Sequence, residues 1–192
     1  MENEEVIVNS TCEEDPDEIV TIPFDLFQSF LGRYYIGRTP ALTLRGGCDC
    51  WGGLINPRDS SVNLFIDNIS VSNTSGTPFC TRIWLNTTPF GRIQVSPFVT
   101  LANTAVEPMP VSFGLLSYSL GLRIVPFNGD SMASQIARPF CSLDSSFGGK
   151  VIIPPGGNII VFCSSDGLGP GPGGVCTSCE ISFQWWEMPA EC

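Results

Sequence analysis

Apolar and polar residues alternate with period two along most of this chain. Val62, Leu64 and Ile66 alternate with Asn63, Phe65 and Asp67, and Phe79, Thr81, Ile83 and Leu85 alternate with Cys80, Arg82, Trp84 and Asn86. Near the end, Ile181, Phe183 and Trp185 share one face of a strand while Ser182, Gln184 and Trp186 share the other. Such alternation places successive side chains on opposite faces of a pleated strand. Further strands are predicted at 33–38, 93–100, 111–118, 121–125, 150–153 and 158–164, and residues 18–24 can open the first one. Helical spacing shows once: Phe24, Phe27 and Leu31 lie at i, i+3 and i+7 and are followed by Gly32, which predicts a short helix ending on a glycine cap.

Turn chemistry punctuates the strands. Asn73-Thr74-Ser75-Gly76 reads as a hairpin turn, and Pro154-Pro155-Gly156-Gly157 separates Val151-Ile152-Ile153 from Ile159-Ile160-Val161-Phe162. Residues 167–174 form a Gly/Pro loop. About eight short strands with this punctuation predict an all-β, jelly-roll-like two-sheet sandwich spanning residues 18–192. Residues 1–17 read as a flexible acidic arm or connector, in which Val6-Ile7-Val8 is able to add as a strand to another sheet.

Composition sharpens this reading. Of the 192 residues, 43% are hydrophobic and only 15% charged, against a usual quarter or so, giving a surface that tolerates burial against neighbours. Eight acids and no base fall within residues 1–18, so the remainder of the −10 net charge is only −2. No basic patch is available for a phosphate backbone, which argues against nucleic acid. No run of 18 apolar residues suggests a membrane span. Acids stand where a secretory leader needs bases and no apolar stretch follows, so Met1 reads as a true start without a signal peptide.

Candidate chemistry is sparse. There is no histidine, which removes the commonest general base and imidazole ligands. The lone Lys150 beside Gly148-Gly149 lacks phosphate-loop spacing, and the acids are scattered singly. No catalytic residue, cofactor or metal is assigned, and enzyme activity is not expected.

The nine cysteines carry the remaining signal. A chain of this length does not need disulfides merely to fold. The odd count leaves at least one thiol without an intrachain partner. Cys12, on the arm, and Cys192, the last residue, are the candidates for intersubunit disulfides. Cys48, Cys50, Cys80, Cys141, Cys176 and Cys179 are candidates for intrachain or cross-linking disulfides, and Cys163, within an apolar run, reads as an inert buried thiol. A zinc site from Cys48-Asp49-Cys50 and Cys176-Thr177-Ser178-Cys179 is the alternative, set below disulfides because one pair has a single intervening residue and the pairs are far apart. Cysteine abundance suits an oxidising compartment, whereas no leader is visible. Leaderless export, release by lysis, or thiols holding metal in a reducing cytosol would reconcile the two.

Three segments together carry a resemblance: Gly32-Arg33-Tyr34-Tyr35-Ile36-Gly37-Arg38; Trp51-Gly52-Gly53-Leu54-Ile55-Asn56-Pro57 with Val62-Asn63-Leu64-Phe65; and Ile153-Pro154-Pro155-Gly156-Gly157 with Phe183-Gln184-Trp185-Trp186-Glu187. Over residues 24–187 the chain resembles a family of small, uncharacterised β-rich proteins from spore-forming Firmicutes. Its layout is similar to that of endospore appendage (pilus) subunits, in which jelly-roll subunits stack by sheet augmentation and an N-terminal connector is disulfide-linked to a neighbour. That resemblance maps the connector role onto Cys12, although those connectors often carry adjacent cysteines and this arm has one.

The expectation is therefore a self-assembling structural subunit of a filament or coat, extracellular or on the spore surface, joined by β-augmentation and intersubunit disulfides. Its partner is itself, with surface glycan or spore coat as further contacts. The rival is a lectin-like carbohydrate-binding module using Trp51, Trp84 and Trp186 as a stacking platform, a reading weighed against their use in the core or a subunit interface.

Overall fold

Most of the alternating segments form strands, and the predicted helix forms where its spacing places it. The computed structural model describes residues 5–8, 20–44, 48–122, 126–164 and 177–190. In chain order, β1 (Glu5–Val8) and β2 (Val20–Pro23) precede α1 (Phe24–Phe30). Then come β3 (Tyr34–Arg38), β4 (Leu42–Leu44), β5 (Asp49–Ile55), β6 (Val62–Asn73) and β7 (Phe79–Leu85). The second half holds β8 (Gln94–Val95), β9 (Val99–Leu101), β10 (Leu115–Leu122), β11 (Asp130–Ala137), β12 (Ser142–Ile153), β13 (Asn158–Ser164) and β14 (Thr177–Pro189). Helix α1 stops where Gly32 takes φ +69, with Leu31 N–H donating to Phe27 O and Gly32 N–H to Ser29 O.

Two packed antiparallel sheets make an all-β sandwich. One runs β11-β7-β13-β5-β10-β8; the other runs β12-β6-β14-β3-β9, with β4 also on β14. The pairings nest: β3 and β4 pair with β14, β5 with β13, β6 with β12, and β7 with β11. The chain thus behaves as one long hairpin rolled so that successive strand pairs fall in opposite sheets, the jelly-roll winding. Strands β8 to β10 are inserted between β7 and β11. β1 pairs with β2 alone in a separate two-stranded ribbon, so Val6-Ile7-Val8 lies against its own chain and not in either sandwich sheet.

The inner faces supply the core. Leu64, Ile66, Ile181, Phe183 and Trp185 from one sheet meet Leu54, Phe79, Ile83, Ile159 and Val161 from the other. β5 and β13 are buried on both faces, because Trp51, Ile160 and Phe162 on the outer side lie beneath Phe90 of the inserted segment. This explains the unbroken apolar run of β13, the pattern of a strand without a wet face. Gly52 sits where the sheets approach most closely: a Cβ there would lie 2.7 Å from Thr39 Cγ2 and 3.1 Å from Ile181 Cδ1. On the outer side of the second sheet Trp186 stacks on Phe65 and meets Phe24 of α1 edge-on.

Several sequence expectations need correction. β5 and β11 are not among the predicted strands: β5 carries two adjacent glycines, and β11 turns only Ala133 and Ala137 toward the core while Met132 and Ile136 stand among polar residues on its exposed side. The strand expected at 93–100 is two short ones, β8 and β9, in different sheets; the strands expected at 111–118 and 121–125 merge within the described residues into β10, Leu115–Leu122, with 123–125 outside those residues. Asn73-Thr74-Ser75-Gly76 is not a hairpin, since β6 and β7 belong to different sheets. The turn forms nonetheless: Asn73 Oδ1 accepts from Ser75 N–H at 2.9 Å, while its Nδ2 donates to Thr77 O and Ala137 O. Local turn chemistry dictates that the chain reverses, not which strand it meets afterwards.

Candidate functional site

The two sheets end on the same side of the sandwich in β11 and β12, each hydrogen-bonded to one neighbour among the described residues. The two edges differ. β12 carries Asp144 and Lys150, and its register with β6 breaks between Ser146 and Val151, where Gly148 and Gly149 have positive φ. Charge and a bulge are the usual ways of blunting an edge. β11 is irregular only between Ser131 and Ala133; from Ala133 to Ala137 it pairs regularly with residues 79–83 of β7. No charged residue stands between Ser131 and Ala137. Met132 and Ile136 are exposed on this strand, and Phe140 just beyond it is 75% exposed.

The second constellation is buried. The inner-face parity of β13 carries Ile159 and Val161 and continues to Cys163, which lies directly opposite Cys50 of β5. Cys179, on the inner face of β14, comes from the other sheet. The three sulfurs lie within 4.8 Å of one another and all three residues are fully buried. Hydrogen bonds from Cys163 and then Cys50 hold the Cys179 thiol well below its ordinary pKa. The Cys163 thiol is pushed up by its hydrogen bonds to Cys179 and Cys50 and by burial. At Cys50 the hydrogen bond with Cys163 acts downward, but the one to Cys179 together with burial outweighs it and raises the thiol.

The predicted site residues fall into three groups. Cys12, Cys176 and Cys192 lie outside the described residues. Cys48, half-exposed, Cys80, half-buried with Sγ 3.6 Å from Ser134 Oγ, and Cys141, exposed, are free thiols that do not belong to the cluster. Cys50 and Cys179 are also free thiols, brought together with Cys163. Cys163 is thus not an isolated apolar filler. Of the cysteines in the zinc alternative, Cys50 and Cys179 are in the cluster, Cys48 is not, and Cys176 lies outside the described residues. What sequence reasoning missed was the parity of β13 and the pairing partner of β5; the first was visible in the apolar run, the second was not.

The aromatic platform is also corrected. Trp51 is fully buried, donating its indole N–H to Phe90 O at 2.9 Å, and Trp186 is 4% exposed beneath Gly149 and α1. A cleft of about 260 Å³ lies elsewhere, between β9 and the segment leading into β10, lined by Tyr35, Val95, Val99, Leu101, Met109 and Leu116. Its wall is fixed by Glu187, whose buried carboxylate accepts from Ser112 Oγ, Phe113 N, Gly114 N and Trp185 Nε1. Among the described residues, no helix is long and apolar enough to cross a membrane.

Comparison with known proteins gives a family and no activity. Residues 5–191 match a family described as "Family of unknown function (DUF6143)", and the chain belongs to that family. No curated protein matches it, and no solved structure matches it.

Proposed function

We propose that this chain is a structural, self-associating subunit, not an enzyme, and that copies join by β-augmentation at the β11 edge to build a filament or coat. The observation that carries this reading is the uncharged, regularly paired edge strand from Ala133 to Ala137, which has no second strand beside it among the described residues. An open, flat, uncharged edge is a template for another strand, and a chain that leaves one unprotected while blunting its neighbour β12 is suited to using it. The added strand is β1 of a second copy. β1 belongs to neither sandwich sheet and is hydrogen-bonded in a two-stranded ribbon with β2, a kind of unit that is marginal alone in water. Its four residues fit within the five-residue, regularly paired stretch of β11. Such a contact is head-to-tail and does not close on itself, so it propagates. Cys12, four residues beyond β1, and Cys192 supply intersubunit disulfides that tether each joint. The assembly is placed outside the cell or on the spore surface. The lectin-like alternative drew on Trp51, Trp84 and Trp186, of which two are buried.

Negative-stain microscopy of the purified protein, with and without reductant, tests this. Regular filaments or arrays are expected. Ser134→Lys with Ile136→Lys should abolish them, and Cys12→Ser should remove their resistance to denaturant. Monodisperse particles in both redox conditions, or assembly indifferent to the lysine pair, would overturn the reading.

A further inference from the structure

Three buried thiols from three strands and both sheets converge on one point, and none of the disulfide or packing roles uses all three. A disulfide engages two sulfurs and leaves the third surplus. Inert packing does not call for sulfur at three adjoining inner-face positions. A metal ion uses every one of them. From the geometry we infer that Cys50, Cys163 and Cys179 form a thiolate site for a soft d10 cation, Zn2+ or Cu+, at the junction of the two sheets.

The dimensions fit. Because all three sulfurs lie within 4.8 Å of one another, some point is no farther than about 2.8 Å from each of them. Zinc–sulfur bonds are about 2.3 Å, which sets sulfurs about 3.8 Å apart in a tetrahedral site, so each must move inward by less than about 1 Å. The ligand type fits as well, since thiolates select Zn2+ and Cu+ over hard cations, which take oxygen. Binding replaces three S–H bonds by three metal–sulfur bonds and releases three protons to solvent, with no change of oxidation state. The complex carries a charge of −1 with Zn2+ and −2 with Cu+. Three covalent-like tethers from β5, β13 and β14 would then clamp one sheet to the other. This inference is independent of edge pairing at β11 and stands or falls separately from it.

The test uses the full chain, purified under reductant and titrated separately with Zn2+ and, anaerobically, with Cu+. One tightly held equivalent is expected from one of the two ions, with X-ray absorption showing a shell of three sulfurs at about 2.3 Å for zinc. Cys50→Ser, Cys163→Ser and Cys179→Ser should each weaken binding by at least about tenfold, whereas Cys80→Ser and Cys141→Ser should leave it unchanged. Failure of the folded, reduced protein to bind either ion would overturn the inference. So would a nitrogen- and oxygen-dominated shell, or a disulfide joining two of the three found by mass spectrometry in protein that takes up no metal after reduction. The absorption measurement is made on the unaltered chain, so misfolding of a serine variant does not blunt the test.

Discussion

Glu187→Gln probes the least expected polar feature of the fold. Glu187 is 5% exposed. Its Oε1 accepts from Ser112 Oγ at 2.7 Å, Gly114 N at 3.0 Å and Trp185 Nε1 at 3.2 Å, while Oε2 accepts from Phe113 N at 3.1 Å. All four partners are donors. Glutamine is nearly the same shape, but one oxygen becomes an NH2 group and must face a donor wherever it is placed. The least damaging orientation puts it against Phe113 N, losing that bond and leaving a buried N–H unsatisfied, at about 1–3 kcal/mol. The other three bonds change from charge-assisted to neutral, each weaker by about 1 kcal/mol, and relief of the carboxylate's desolvation offsets part of this. The expected loss is about 2–4 kcal/mol, or roughly 5–15 °C in Tm for a domain of this size. Urea denaturation gives the stability change, and amide hydrogen exchange gives its location: Phe113 and Gly114 should lose protection before the core of β13 does. A change below about 0.5 kcal/mol with unaltered exchange at those two amides would refute the account, because it would mean the carboxylate is dispensable to the wall of the cleft.

Other outcomes follow from the same structure. Gly149→Ala forces a Cβ into the Trp186 ring at a position with φ +75, so it should destabilise by about 2–5 kcal/mol and shift the tryptophan fluorescence; wild-type stability would show that Trp186 does not pack there. Burial, then the hydrogen bond to Asp67, raises the Tyr34 hydroxyl well above its ordinary value, and burial, then the charge of Glu187, pushes Tyr35 up to about 12. Because the fold favours their neutral forms, this contribution to stability is complete below about pH 10 and is lost as pH rises toward 12. Tyrosinate absorbance should therefore rise together with loss of circular dichroism, and ionisation of both residues near pH 10 with the fold intact would contradict it. Ser134→Lys with Ile136→Lys changes exposed edge positions, so the subunit's own stability should move by less than about 1 kcal/mol in a urea melt while assembly is lost. A large loss of stability would mean that Ser134 and Ile136 do not stand on the exposed side of the strand.

Legibility in the sequence tracked burial. Strands with one wet face, such as β6, β7 and β14, alternate cleanly, and residues 62–66 and 181–185 were readable because half of each strand must be apolar. β11 turns only the small Ala133 and Ala137 toward the core and leaves Met132, Ser134 and Ile136 exposed, so no strong apolar stripe reveals it, yet its open edge is the feature on which the proposed assembly rests. β5 was hidden by Gly52, which the close approach of Thr39 and Ile181 requires. The three-thiol cluster was half visible: Cys50 and Cys179 drew notice as members of paired motifs, while Cys163 looked like one more apolar residue in a buried run.

The sequence alone determined the β class, the period of each amphipathic strand, the helix and its glycine stop, the turn positions, and the poverty of catalytic residue types. These are local matters, governed by side-chain parity and by backbone preferences over a few residues. Only the tertiary structure decided that the turn after β6 crosses between sheets, that β12 is a blunted edge and β11 an open one, and that Cys50, Cys163 and Cys179 share one pocket. Those are properties of strand pairing and sheet packing between residues far apart in the chain; Cys50 and Cys179, from different sheets, are 129 positions apart. Pairing of that range is set by which apolar faces bury one another over the whole rolled hairpin, and no local pattern along the chain encodes it.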